Sequence, residues 1–112
     1  MLTLLFLALV QVLLSSGEYK CEGTTPMGKY QLFLDVQVRG NIYDLIWHDN
    51  MVQAQGFGVR NGDNLAVIYR TILGEFGVSN YKLSPGRLDG MWSIGDGEIY
   101  PEVCILADLR EA

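Results

Sequence analysis

The feature that most constrains this chain is a period of two in its apolar residues, broken at short intervals by turn pairs. From Tyr30 to Arg39, the residues Tyr30, Leu32, Leu34, Val36 and Val38 alternate with Gln31, Phe33, Asp35, Gln37 and Arg39. Only Phe33 departs from the polar set. Successive side chains of a strand point to opposite faces, so such a run is a half-buried antiparallel strand. The alternation returns in Tyr43, Leu45 and Trp47, in Leu65, Val67 and Tyr69, and in Leu88, Gly90 and Trp92. No stretch after Gly17 shows an amphipathic helical period.

Turn pairs close these runs at Gly40-Asn41, Asp49-Asn50, Asn61-Gly62, Ser84-Pro85-Gly86 and Asp96-Gly97. Asn61-Gly62 has the composition of a type I′ hairpin. With a first strand around Tyr19 to Thr24, the chain holds about eight strands, roughly ten residues apart. Short connections make consecutive strands antiparallel neighbours, which is a meander. Closing a meander into a barrel removes its exposed edges. Gly56 and Gly58 inside one strand mark a bend or a close backbone approach, and Pro101 marks a bulge or an edge. The expected fold is therefore all-β, a small barrel of antiparallel strands preceded by an apolar N-terminal leader.

That leader carries no charged side chain from Met1 to Gly17, and Leu2 to Leu14 is apolar apart from Thr3 and Gln11. A bilayer span needs about 20 apolar residues, so this run has the length of a signal-peptide core and makes no stable membrane span. Ser15, Ser16 and Gly17 supply small residues for cleavage, although no Lys or Arg precedes the apolar run. The expected division is residues 1–17 as signal peptide and residues 18–112 as the barrel domain, exported to the periplasm or secreted. Cys21 and Cys104 flank that domain. They are either a disulfide or two separate buried thiols, and export favours the disulfide. A bridge closing so long a loop contributes about 4.5 kcal/mol in the chain-entropy description. The net charge of −5 repels phosphate backbones, which argues against nucleic acid and against anionic membrane surfaces.

Residues that carry chemistry are sparse. His48 is the only histidine, which excludes a site built on two histidines and leaves one imidazole base, on a polar face beside a turn. None of the serines stands in a G-x-S-x-G turn, and Asp49, Asp63, Asp89, Asp96 and Glu98 lie near turns, where carboxylates bond their own backbone. No catalytic residue, metal site or cofactor is assigned. The aromatic residues are more informative. Tyr43, Trp47, Tyr69, Tyr81 and Trp92 fall on inward faces by alternation. An eight-stranded barrel is either just filled by its side chains or holds one small ligand, so these five rings line a cavity or plug it. Phe33, Ile42, Ile46, Phe57 and Val59 fall outward, where they form a surface for a partner protein or a homo-oligomer.

Leu88-x-Gly90-x-Trp92, followed by Gly95 and Gly97, resembles the G-x-W strand of avidin-like and other calycin barrels. The resemblance implies an exported eight-stranded meander that binds small molecules or lipids inside the barrel, with Gly90 and Trp92 at barrel-closing positions. In those families the G-x-W strand opens the barrel, whereas here it is next to last. The wider pattern is similar to that of small exported bacterial proteins of uncharacterised function, some labelled fibronectin-binding. It comprises Tyr43-x-Leu45-x-Trp47, Gly56-Phe57-Gly58-Val59, Leu65-Ala66-Val67, Gly77-Val78-x-x-Tyr81 and the G-x-W strand. The expected function is a non-enzymatic binding domain that takes a small or apolar ligand in the barrel interior or its open end. The alternative is an envelope or surface protein with a solid core that contacts another protein through its outer face.

Overall fold

The structure is a computed structural model that describes residues 16–109. The segment read as a leader lies outside the described residues except for Ser16 and Gly17. Eight strands follow one another: β1 (Gly17–Thr25), β2 (Gly28–Arg39), β3 (Ile42–His48), β4 (Val52–Asn61), β5 (Asn64–Thr71), β6 (Phe76–Ser84), β7 (Arg87–Ser93) and β8 (Tyr100–Leu109). Each is antiparallel to the next, and β8 returns to β1, so the sheet is a closed barrel in sequence order. Period-two alternation, turn pairs and short connections dictate this architecture, and the expected meander is the observed one. The first strand begins at Gly17, inside the segment read as leader. There Ser16 Oγ accepts the Val38 backbone N–H at 3.0 Å.

The hairpins show how turn chemistry sets the register. Asn61 belongs to β4 and pairs with Asn64, so the loop is Gly62-Asp63 rather than Asn61-Gly62. Gly62 has φ of 65°, and no described residue other than glycine has a positive φ. A type I′ turn needs both central residues at positive φ, whereas type II′ needs only the first. The turn therefore has the type II′ arrangement, which corrects the type I′ expectation.

The seam between first and last strands is stapled. Cys21 and Cys104 are directly opposed in the β1–β8 register and form a disulfide across 83 residues of chain. Both are fully buried. The barrel interior is divided along its axis. Leu34, Leu45, Leu65, Leu83 and Leu88 pack into a solid aliphatic core. Toward the end that carries the β1–β2, β3–β4, β5–β6 and β7–β8 connections, the inward side chains become aromatic and the packing opens. Antiparallel order explains this grouping. Trp47, Tyr69 and Trp92 stand late in β3, β5 and β7, while Tyr30 and Glu102 stand early in β2 and β8. All five thus reach the same end.

Candidate functional site

A cavity of about 390 Å³ occupies that end. Its wall includes Tyr30, Trp47, Tyr69, Tyr81, Trp92 and Glu102, and the exposed Ile72 and Leu73 of the β5–β6 connection stand at its rim. Its volume is within the range of small-molecule pockets, roughly 300–1,000 Å³.

At the floor is Glu102, only 4% exposed. Its Oε1 accepts the Tyr81 hydroxyl at 2.7 Å and the Trp47 indole N–H at 3.2 Å. Its Oε2 accepts the Tyr30 hydroxyl at 2.6 Å. Cys104 Sγ lies 3.4 Å from Oε1. A disulfide sulfur carries no proton, so this is a contact and not a donated bond. Burying a carboxylate without partners is costly, and three donors offset that cost. Indole is donor-only, and the geometry presents all three groups to an acceptor, which suits a carboxylate.

Local sequence explains how so bulky a cluster fits. Glu102 is directly opposite Gly23 on β1 and Gly90 on β7. Tyr30 pairs with Gly23, and Tyr81 pairs with Gly90. A Cβ on Gly23 would stand 2.3 Å from the Tyr30 hydroxyl oxygen, and one on Gly90 would stand 2.4 Å from Tyr81 Cδ1. Each phenol ring therefore lies flat over a glycine and reaches past it to the carboxylate. Tyr69 likewise lies over Gly77, where a Cβ would meet its ring at 2.2 Å. Its ring is also tilted against Trp47 at 5.4 Å between centroids. Trp92 meets Tyr30 edge-on at 6.2 Å. Covering strand glycines with aromatic rings is a known way of filling a sheet face, and here it leaves the cavity axis open.

The site has marked electrostatics. Burial pushes the Tyr81 phenol well above its ordinary range, and the Glu102 charge pushes it the same way. The same two causes, with the hydrogen bond to Glu102, raise Tyr30. Burial, then the charges of Glu102 and Glu75, takes Tyr69 up to about 12. These phenols are neutral at any physiological pH, and those of Tyr30 and Tyr81 donate to Glu102.

Of the five aromatic residues singled out by alternation, Trp47, Tyr69, Tyr81 and Trp92 meet at the cavity. Tyr43 does not. It is buried opposite Gly58, toward the far end of the barrel, and its hydroxyl has no hydrogen-bond partner among the described residues. Glu102 and Tyr30 complete the site without having been singled out by the aromatic pattern, although the same alternation rule points both inward. Glu102, Cys104 and Leu106 alternate onto one face of β8, which places an acid among inward residues. Of the two residues that the resemblance places at barrel-closing positions, Gly90 seats Tyr81 and Trp92 lines the cavity. His48 lies on the outer face, stacked on Phe33 at 5.9 Å, with Nε2 3.4 Å from Asp35 Oδ2 and 4.0 Å from Glu18 Oε2.

No family model, no curated protein and no solved structure matches this chain. No helix among the described residues is long and apolar enough to cross a membrane.

Proposed function

We propose that this chain is an exported, non-enzymatic binding module that takes a small, largely apolar ligand into the open end of its barrel. The observation that carries this reading is the division of the interior. A barrel needing only a solid plug would continue its leucine core to both ends. Instead, aromatic rings lie back against strand glycines around a cavity of about 390 Å³. Export is supported by the buried disulfide, since such bridges persist in oxidising compartments. The one histidine, His48, lies on the outer face and not at the cavity.

Titration with phenylnaphthylamine, a neutral dye that brightens in apolar sites, tests this reading. Saturable one-to-one binding is expected. Ala54 lines the cavity opposite Trp47 and Thr71. Ala54→Phe should abolish binding while the strand circular dichroism is retained. Absence of saturable binding to the wild type, or full binding by a folded Ala54→Phe variant, would contradict the proposal.

A second reading, contact with a protein partner, is favoured by one observation. Phe57, Ile68 and Val78 are consecutive cross-strand partners on β4, β5 and β6. All three point outward and are about half exposed. A contiguous apolar patch of this kind marks interaction surfaces.

A further inference from the structure

The ligand's chemistry is inscribed in the cavity floor, and the inference rests on the cavity being a ligand site. We propose that the cavity selects an organic cation, an amine whose ammonium group turns to Glu102 among the rings of Trp47, Tyr69 and Trp92, with its apolar remainder toward Ile72 and Leu73.

Three observations carry this. The first is the sign of the charge. Glu102 is the buried charge of the cavity wall, Glu75 is an exposed acid at its rim, and no Lys, Arg or His among the described residues lines it. The three groups that hold Glu102 are neutral, so they distribute its negative charge without cancelling it. In a site of low dielectric, that charge attracts a cation more strongly than it would in water. The second is residual acceptor capacity. A carboxylate offers about four lone-pair positions. Among the described residues Oε1 accepts two donors and Oε2 one, so Oε2 retains a position for a ligand N–H. The third is the wall. Aromatic faces attract cations through their quadrupoles, tryptophan most strongly, and two tryptophans and three tyrosines line this cavity. Carboxylate and rings favour the same sign of ligand, and the net charge of −5 attracts it from solution.

The test uses the full chain and three probes on one skeleton: phenylpropylamine, phenylpropanol and phenylpropionate. Dissociation constants are read at neutral pH by calorimetry or by tryptophan fluorescence. The expected order is amine, then alcohol, then carboxylate, with the amine bound about tenfold or more tighter than the alcohol. Glu102→Gln should bring amine and alcohol to near equality. Glu75 stands exposed at the rim, where solvent screens its charge, so Glu75→Gln should reduce the preference by no more than about twofold, whereas Glu102→Gln removes it. This second variant and the wild-type series remain decisive if Glu102→Gln does not fold. Equal binding of amine and alcohol to the wild type overturns the charge selection but leaves the cavity as a ligand site. Survival of the preference in a folded Glu102→Gln variant, or its loss in Glu75→Gln, overturns the assignment to Glu102. Failure of all three probes to bind removes the cavity reading as well.

Discussion

Two tyrosine hydroxyls in this barrel are in opposite situations. The Tyr81 hydroxyl donates to the buried Glu102 carboxylate, while the Tyr43 hydroxyl is buried with no partner among the described residues. A hydrogen bond to a charged group contributes about 1.5–3 kcal/mol, and a buried unpaired hydroxyl costs stability. The same deletion of one oxygen should therefore act in opposite directions. Tyr81→Phe is expected to destabilise by about 1.5–3 kcal/mol, and Tyr43→Phe to be neutral or stabilising by up to about 1 kcal/mol. Denaturant unfolding of the two variants measures this. Equal losses would mean that Tyr43 has a partner the geometry does not show, or that the Glu102 cluster contributes little.

At the scale of strands, the organising unit is a ring on one strand laid over a glycine on the next. Gly90→Ala would place a methyl 2.3 Å from the Asn80 carbonyl oxygen and 2.4 Å from Tyr81 Cδ1. Overpacking of this kind costs about 1–3 kcal/mol. The displaced Tyr81 should also weaken ligand binding, so Gly90→Ala is expected to lose both stability and dye affinity. Much of this level was legible from sequence. Alternation in β2, β3 and β5 places Tyr30, Trp47 and Tyr69 inward, and the turn pairs mark the hairpins, with the β4–β5 loop one residue later than its pair at Gly62-Asp63. Gly56 and Gly58 signalled a close approach of some kind. What alternation does not convey is pairing across strands. That Tyr81 faces Gly90 while Gly90 faces Glu102 depends on the register of three strands, and register is set by turn geometry and barrel closure. Glu102 is hard to read from the sequence for a related reason. An acid on an inward face contradicts the usual pattern, and its three donors lie on β2, β3 and β6, far away in sequence. Tyr43 shows the converse: an inward aromatic residue belongs to the site only if it stands at the correct end of its strand.

At the scale of the whole molecule, the disulfide and the interior phenols govern persistence. The Cys21–Cys104 bridge closes the β1–β8 seam over 83 residues. Replacing both cysteines by Ala should lower the unfolding free energy by about 2–5 kcal/mol, read as a lower denaturant midpoint. An unchanged midpoint would mean that the hydrogen-bonded seam holds without the bridge. Alkaline pH acts through the tyrosines. Burial takes Tyr19 and Tyr69 up to about 12, above the ordinary value near 10. Between those values the unfolded chain has lost protons that the folded chain keeps, so stability falls as pH rises. The contribution is fully present below about pH 10 and is lost toward pH 12. Tyrosinate absorbance should lag behind that of free tyrosine, then rise together with loss of the strand signal. A smooth rise that leaves the fold intact would show the interior phenols to be open to solvent.

A nuclear magnetic resonance titration of isotope-labelled protein with phenylpropylamine reads the ligand site residue by residue. It distinguishes the inside of the barrel from the outside in one experiment. The indole N–H signals of Trp47 and Trp92 should shift and saturate together, while the amides of Phe57, Ile68 and Val78 stay in place. Shifts confined to that outer row, with both indoles unmoved, would contradict a ligand site within the barrel and transfer the binding role to its outer face.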